Sequence, residues 1–387
     1  MNSPSDKDCR SEIDRALPKQ LVERISSHQA LCAVVGLGVI GTETIRLIAE
    51  RGFQAIGYDK NPDAVKRCAS SLRDKFPALD LKGVDRLGDA DFVFISVRLR
   101  FDCDGEVDLT PLDDVGRVLS EQHQRDQLLI LQSTVPPGIT RRFSNQCLIA
   151  RNSHVFYVAH CPERLQLGNP VWRLDNIPRL IGGMSPDAGA LAEQMIGELC
   201  DKPIRVASPE VSELSKLLEN VFIATGVALV GDVTRLAHAH RANAADVTEA
   251  ASSKPFGYLG FDPGTGVGGH CIPNDLRILR KAMDSLGIDS SLLDGVADAL
   301  ERMPGTVVEH IRQLNDGVLP ENVLIVGVGF KIGSSDTTES PAAALIASFY
   351  KAGCTCLYAD SGVSHLEVQG HTIPKVSVND IGGLDIG

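Results

Sequence analysis

This chain has fewer basic than acidic residues. Its 387 residues include 38 lysines and arginines against 50 aspartates and glutamates, which gives a net charge of -12. A strongly acidic protein is repelled by phosphate backbones and by anionic headgroups. We therefore expect neither a nucleic acid nor a membrane among its partners.

The chain also lacks the marks of an exported protein or of one held together by disulfides or metals. The polar stretch Met1 to Asp14 has no apolar signal core, and no apolar run reaches the length of a membrane span. Its 10 cysteines are scattered, and only Cys354 and Cys356 are close, within a strand-like run. This pattern excludes a disulfide framework and a zinc site, and it predicts reduced thiols in the cytoplasm.

What the chain does contain, near its start, is a glycine-rich turn between an apolar strand and a helix. The string Gly36-Leu37-Gly38-Val39-Ile40-Gly41 follows the strand 31–35, and a second strand ends at Asp59. In a β-α-β unit this pattern predicts a dinucleotide site. Gly36 would make the tight turn, Gly38 would let the backbone reach a pyrophosphate at the helix N-terminus, and Gly41 would allow close helix–strand packing. A turn without a ligand is the alternative.

The acidic residue after the second strand predicts which dinucleotide is bound. Asp59 would accept hydrogen bonds from the adenosine ribose and repel a 2′-phosphate, so NAD is favoured over NADP. The expected cofactor contacts are Gly36, Gly38, Val39, Ile40, Gly41, Asp59, Ser133 and Thr134.

Three further strands, 92–97, 128–132 and 155–159, continue a doubly wound α/β pattern. Open sheets of this kind bind ligands at the carboxyl ends of their strands. Thr134 follows one strand and is a candidate contact to cofactor or to a catalytic water, with a simple helix cap as the alternative. Glu163 follows the next strand, where an acid or base could reach the cleft.

A long helix is expected over 208–242, with more helix at 244–251 and at 276–303. Lys216 and Asn220 are four residues apart, so they share one helix face. The lysine is either a functional ammonium or a side chain that reaches from an apolar face to water. The length of this helix suggests a central spine and a homodimer interface.

The stretch from Gly264 to Asp275 (GTGVGGHCIPND) is the strongest candidate for chemistry. Its glycines form a flexible loop, and Pro273 suits the first turn of a helix that begins at Cys271. A thiol there lies at the positive end of the helix dipole, and Asp275 is one turn away on the same face. These residues suit a covalent catalyst, and a buried structural cysteine is the alternative.

A second Rossmann-like start lies near the C-terminus. The strand 323–326 runs into Gly327-Val328-Gly329-Phe330-Lys331, a helix follows from 340 to 351, and a strand 354–358 precedes Asp360. A full open sheet needs more strands than remain, so this domain is expected to be shortened.

Together the strings GLGVIG, STVPPG, CPER, SKLLEN, KPFG, PGTGVGGHCIPND and VGVGFK resemble the UDP-glucose/GDP-mannose dehydrogenase family, and HCPER, KPFGY and GGHCIP favour its UDP-N-acetylhexosamine branch. The resemblance covers about residues 30 to 360. It implies an α/β protein in which two Rossmann-like domains are joined by a central long-helix domain. The implied division is an N-terminal arm (1–29), an NAD domain (30–206), a central dimerisation domain (207–304) and a partial nucleotide-sugar domain (305–387).

The resemblance also implies a four-electron oxidation of a nucleotide sugar's C6 alcohol to the acid, with two NAD⁺. Cys271 would add to the intermediate aldehyde, giving a thiohemiacetal and then a thioester that water releases. Lys216 and Asn220 would stabilise oxyanions, Asp275 would position a base or water, and Glu163 with Thr134 would activate the water. The implied substrate contacts are Glu163, Arg164, Lys216, Asn220, Lys254, Phe256, Gly257, Gly268 and Lys331.

Four features, at six positions, depart from the family's pattern. Arg98-Leu99-Arg100 replaces a Pro-Thr-Pro turn, Thr338 replaces an arginine, Ser335 replaces an aspartate, and Asn274 replaces a lysine of the UDP-glucose branch. The catalytic set is thus intact and the binding set altered. Two alternatives stay open on the sequence: a two-electron hydroxyacid-type dehydrogenase, and a non-catalytic relative that binds NAD or a nucleotide sugar.

Overall fold

The computed structural model describes residues 18–77, 79–81, 83–102, 105–150, 153–165, 169, 171–329 and 335–379. The chain divides into two compact units, the first ending at Lys216 and the second beginning at Leu217. The predicted division into three domains has its boundaries after residues 206 and 304, and it stays a prediction.

A large α/β sheet forms the centre of the first unit. The strands among its described residues are β1 (Leu31–Val35), β2 (Gln54–Tyr58), β3 (Phe92–Ile95), β4 (Arg100–Phe101), β5 (Val107–Asp108), β6 (Gln127–Leu131), β7 (Phe156–His160), β8 (Arg179–Gly183) and β9 (Pro203–Val206). Seven of them form one sheet in the order β2-β1-β3-β6-β7-β8-β9. The first five run parallel, while β8 pairs antiparallel with β7 and parallel with β9. β4 and β5 form a separate hairpin.

Helices cover both faces of this sheet. They are α1 (Lys19–Ser26), α2 (Val39–Glu50), α3 (Pro62–Leu72), α4 (Thr110–Gln122), α5 (Ile139–Arg142, continued by a π-helical turn Phe143–Cys147), α6 (Pro186–Leu199) and the start of α7 (Pro209–Ala239), with a 3-10 turn at Gly83–Asp89. Strands β3 and β6 are buried at every position and, apart from Gln127 at the start of β6, are continuous apolar runs, as expected for parallel strands covered on both sides. Helix α1 belongs to the predicted N-terminal arm (1–29), of which residues 1–17 lie outside the described part.

The glycine-rich turn after β1 uses each of its glycines for a different reason. Gly36 has φ +90, in the left-handed region, and an added Cβ would lie 2.6 Å from the Ser96 carbonyl oxygen. A Cβ on Gly41 would lie 1.7 Å from the Gly36 oxygen, so only glycine fits between helix and turn. A Cβ on Gly38 would meet no protein atom within 4 Å. The tight turn at Gly36 and the close packing at Gly41 are thereby confirmed.

In the second unit, helices surround a small C-terminal sheet. Beyond the rest of α7, its described elements are α8 (Ala244–Ser252), α9 (Cys271–Ser285), α10 (Ser291–Leu314), β10 (Asn322–Val326), α11 (Pro341–Lys351), β11 (Thr355–Ala359), β12 (Glu367–Val368) and β13 (His371–Thr372). β10 and β11 pair in parallel, and β12 and β13 form a hairpin. One apolar core joins α7, α9 and α10, and a second surrounds β11 and α11.

The helical stretch predicted over 276–303 is wrong in its bounds. It is two helices, since α9 ends at Ser285 and Gly287 adopts φ +66 in the turn before α10. Helix α10 then continues past Met303 through the buried Pro304 to Leu314. Tertiary packing here overrides the helix-breaking tendency of proline.

The second glycine turn, after β10, repeats the arrangement of the first. Gly327 has φ +83, and Asp360 after β11 accepts hydrogen bonds from the N–H groups of Val328 (2.8 Å) and Gly329 (3.3 Å). Burial alone would raise the pKa of Asp360, but these bonds and those from Gly362 and Val363 outweigh it and bring the pKa to about 2. Lys331, the predicted substrate contact, lies outside the described residues.

By length and composition, one helix of the described chain, α7, could cross a membrane. This departs from the expectation that no apolar run is long enough, although core helices of soluble proteins pass the same test. The longest run of α7 without a charged residue is the 12 residues between Glu219 and Asp232. They make about 18 Å of helix, against about 30 Å of bilayer hydrocarbon, which favours a role within the protein.

The glycine turn predicts a clear difference between two alanine substitutions. Gly41→Ala should lower the free energy of unfolding by about 3 kcal/mol or more, because the new methyl group meets a fixed backbone oxygen. Gly38→Ala, which points into open space, should change it by less than about 1 kcal/mol. Urea unfolding followed by circular dichroism measures both, and equal stability of the two variants would contradict this account of the turn.

Candidate functional site

The turn that follows β6 carries the first group of predicted site residues. The Ser133 hydroxyl donates to the Val97 carbonyl at 2.7 Å, which joins this turn to the end of β3. Thr134 is half-buried beside it, and Gly138, with φ +88, precedes α5. The structure therefore places Ser133 and Thr134 at the carboxyl edge of the sheet, as predicted.

A buried histidine connects this turn to the start of α7. His160, the last residue of β7, has Nε2 at 3.2 Å from the Ser133 carbonyl oxygen and Nδ1 at 2.9 Å from the Ser212 hydroxyl. Because a carbonyl oxygen can only accept, Nε2 carries the hydrogen of the ring, and Nδ1 is an acceptor within reach of the Ser212 hydroxyl, which also lies 3.2 Å from the His160 carbonyl oxygen. Burial lowers the pKa of His160 to about 4, so the ring is neutral at pH 7.

A buried glutamate of α7, the residue after Ser212, binds the same turn. The carboxylate of Glu213, 1% exposed, accepts hydrogen bonds from the N–H groups of Gly138 (2.6 Å) and Thr140 (2.8 Å). Burial raises the pKa of Glu213, and the two N–H donors oppose that effect. At the surface, Arg141 donates to Glu210 at 2.7 Å. We call these three contacts of α7, through Glu210, Ser212 and Glu213, the α7 clamp.

The clamp orients Lys216. Residues three and four apart on a helix share a face, so Lys216 lies on the face that carries Glu213 and Ser212. Lys216 is half-buried, and its ammonium is thus carried by the side of α7 that is held to the Thr134 turn. The sequence reading missed both His160 and Glu213, although the glutamate's position three residues before Lys216 was a signal that could have found it.

Glu163 lies beside the same turn. Its N–H donates to the Gln132 carbonyl (3.4 Å), and its Oε1 accepts from the N–H groups of Arg164 (2.8 Å) and Leu165 (2.6 Å). Oε2 is buried and has no hydrogen-bond partner among the described residues. One oxygen therefore fixes the carboxylate, and the other is left for a ligand or water. The Arg164 guanidinium donates to the Pro178 carbonyl at 2.9 Å, within the following loop.

In the second unit, the cysteine loop is built as the sequence predicts. Cys271 is the first residue of α9 and is exposed. Asp275, one turn later, is 3% exposed and accepts a hydrogen bond from the Asn220 amide at 2.5 Å. This buried bond fixes the first turn of α9 against α7. Cys271 is therefore not the buried structural cysteine of the alternative interpretation.

The remaining predicted substrate contacts lie on loops of this unit. The Lys254 ammonium lies 5.1 Å above the ring of Phe256, which is exposed, and Gly257 follows with φ +71. Gly268 has a packing reason to be glycine, since a Cβ there would lie 2.3 Å from Cδ of Pro341. Their binding roles stay predictions.

The glycine turn of the first unit fits a dinucleotide. The first N–H groups of α2 have no partner within the helix, and the space in front of Gly38 holds no protein atom within 4 Å. Asp59 is fixed by the N–H groups of Leu37 (2.8 Å) and Asn61 (2.8 Å), which presents its carboxylate at the end of β2. Among the described residues, no group of three or more His, Cys, Asp or Glu side chains could hold a metal ion.

Comparison with known proteins agrees with this geometry. Residues 80–199 match the NAD binding domain of the UDP-glucose/GDP-mannose dehydrogenase family, and residues 210–301 match its central domain. The chain belongs to this family.

Relatives of this chain include members of the UDP-N-acetylhexosamine branch of the family. It is 31% identical over 332 residues to the UDP-N-acetyl-D-mannosamine dehydrogenase of Pyrococcus horikoshii, covering 80% of this chain and 78% of that protein. It is 30% identical to the enzyme of the same name from Methanocaldococcus jannaschii, covering 86% and 79%. A solved structure of the Pyrococcus horikoshii enzyme superposes with a TM-score of 0.78 at 27% identity, covering 90% of both chains. The family membership, the α/β fold and the NAD cofactor are thereby confirmed.

The clamp predicts a stability difference between two glutamates of α7. Glu213→Ala should lower the free energy of unfolding by about 2 to 4 kcal/mol, because it leaves two buried N–H groups without an acceptor. Glu210→Ala removes a surface ion pair and should cost less than about 1 kcal/mol. Denaturant unfolding at pH 7.5 compares them, and a Glu213 variant as stable as the Glu210 variant would show that the clamp does not hold the turn.

Proposed function

We propose that this protein is a UDP-N-acetylhexosamine 6-dehydrogenase that oxidises the C6 alcohol of its sugar to the carboxylate. The observation that carries this proposal is the buried Asn220–Asp275 bond one turn from an exposed Cys271 at a helix start. A two-electron dehydrogenase has no use for a thiol supported in this way. A non-catalytic relative has no reason to keep it.

The overall reaction needs four electrons and one water. One alcohol, two NAD⁺ and one water give one carboxylate, two NADH and three protons. NAD⁺, when bound, supplies the hydride acceptor for each oxidation. The Cys271 thiolate adds to the aldehyde carbon and holds it as a thiohemiacetal, so that the second oxidation yields a thioester. Water then cleaves the thioester and returns the thiol.

The polar groups on α7 suit the negative charge that develops on oxygen. Hydrogen bonding to Asp275 fixes the Asn220 amide, which has a second N–H to donate, and the Lys216 ammonium is carried on the same face of the helix. The carboxylate of Asp275 would also accept a proton or orient a water next to Cys271.

Hydrolysis of the thioester requires an activated water. The unpartnered Oε2 of Glu163 is suited to accept its proton, and the neighbouring Thr134 hydroxyl is suited to orient it. Both groups end adjacent strands of one rigid sheet, which favours a fixed geometry.

The substrate is inferred from the relatives. Two of them are named UDP-N-acetyl-D-mannosamine dehydrogenase, so we take that sugar as the first candidate. Lys254, Phe256, Gly257, Gly268, Arg164 and Lys331 would contact it. The boundaries between the NAD domain, the central domain and the nucleotide-sugar domain would fall near residues 206 and 304 of the chain, and the enzyme would be cytoplasmic.

A homodimer through α7 completes the proposal. Five large apolar side chains of this helix, each 45% to 65% exposed, recur at spacings of four or seven residues and so form one stripe: Leu214, Leu218, Phe222, Leu229 and Leu236. A continuous apolar stripe of this length marks a protein–protein interface. A second copy of the chain offers the same stripe in return.

The nucleophile can be tested with UDP-N-acetylmannosamine and NAD⁺. The native chain should form two NADH per sugar, followed at 340 nm. Cys271→Ser should lower steady turnover by about 10³-fold or more, with NADH stopping after a burst comparable to the enzyme concentration. Cys147→Ser, whose hydroxyl can keep the bond to Asp113, should behave like the native chain. One NADH per sugar, or full turnover by Cys271→Ser, would instead support the two-electron alternative.

The dimer can be tested by placing a charge on the stripe. Leu229→Arg, at a position 62% exposed in the single chain, should convert a dimer into a monomer in sedimentation equilibrium. Leu286→Arg, at a position 74% exposed and outside α7, should leave the mass unchanged. A native chain that sediments as a monomer would refute the proposed interface.

A further inference from the structure

The order of strands in the first unit defines one crevice where a ligand is expected. From β1 the chain passes through α2 to β2 on one side, and it later returns to β3 on the other side of β1. Such a reversal opens a crevice at the carboxyl ends of the two strands, and open α/β sheets bind their ligands there. The crevice thus lies between the glycine turn after β1 and residues 96–98 after β3.

The backbone after β3 is held in place from both sides. An added Cβ on Gly36 would lie 2.6 Å from the Ser96 carbonyl oxygen, so the glycine turn packs against this segment. On the other side, Ser133 donates its hydroxyl hydrogen to the Val97 carbonyl at 2.7 Å. Arg98 is the next residue, so these two contacts also fix the position of its backbone at the edge of the crevice.

The Arg98 guanidinium is available for a ligand. The side chain is exposed and makes no hydrogen bond or ion pair with the residues that the structure describes. Among the described residues it forms no ion pair with Asp59, whose two oxygens accept backbone N–H groups at the end of β2. A free arginine presents up to five donors in a planar fork suited to phosphate oxygens.

We propose that Arg98 binds the diphosphate of NAD, on the side opposite the N-terminus of α2. The diphosphate is the only anionic group of this cofactor, and the space before Gly38 brings it to the same crevice. A 2′-phosphate would instead lie near Asp59, beyond β1 and about 10 Å from β3 at ordinary strand spacing. Arg98 replaces the first residue of the Pro-Thr-Pro turn in the family's pattern, so this chain has a positive charge at a position where that turn has none.

Binding titrations of the full chain test the assignment without reference to turnover. The ligands are NAD⁺ and ADP-ribose, which carry the diphosphate, and adenosine, which does not. Arg98→Gln should raise the Kd for NAD⁺ and for ADP-ribose by about 5- to 20-fold and leave that for adenosine within about 2-fold. It should also reduce the loss of NAD⁺ affinity between 50 and 300 mM NaCl, roughly in proportion to one lost charge contact.

The matched control is Arg100→Gln, since Arg100 is exposed on β4 only two residues away. It should bind all three ligands within about 2-fold of the native chain. Arg98→Gln binding NAD⁺ as the native chain does, or Arg100→Gln weakening it equally, would overturn the proposal. So would an equal loss for adenosine, because the effect would then not concern the diphosphate. A native chain that binds adenosine but neither diphosphate ligand would place the error in the cofactor site as a whole.

Discussion

A single buried carboxylate holds the turn after β6 against the start of α7. Glu213 receives two backbone N–H groups from the turn that carries Thr134, and it does so from the helix that carries Lys216. The Asn220 amide, seven residues or about 10 Å further along α7, is fixed in turn by Asp275. Along the helix, Lys216 lies between these two polar contacts. An ammonium held in place before reaction would stabilise charge that develops on oxygen.

The two glycine turns show one physical solution used twice. In each, a glycine with positive φ ends a strand, and a carboxylate at the end of the next strand accepts the N–H that follows the glycine: Asp59 from Leu37, and Asp360 from Val328. Parallel strands bring their carboxyl ends to one edge, so the carboxylate of one strand reaches the turn of its neighbour. Each turn is thereby held open toward the sheet edge, where a ligand approaches.

Elements that depend on local sequence patterns were predicted correctly, whereas contacts between residues far apart in the chain were not predicted. The bounds of β1 and β2 and the start of α9 at Cys271 follow from apolar runs, glycines and Pro273, which act over a few residues. His160 and Glu213 were missed because their partners lie 27 to 75 residues away. Strand β8 was not predicted, and no local pattern distinguishes its reversed direction. The bounds of α10 differ because burial of Pro304 compensates for its lost N–H.

The neutral His160 gives the fold a built-in sensitivity to acid. Its folded pKa of about 4 lies below the ordinary value near 6.5, so the folded state binds fewer protons than the unfolded chain between these values. By linkage, the stability that the neutral ring contributes is complete above about pH 6.5 and is lost as the pH falls toward 4. Protonation also turns Nδ1 from an acceptor into a donor, and the Ser212 hydroxyl would then accept from the ring and donate to the His160 carbonyl oxygen. Mild acidification would thus weaken the contact between β7 and the start of α7, because it places a charge on a buried ring.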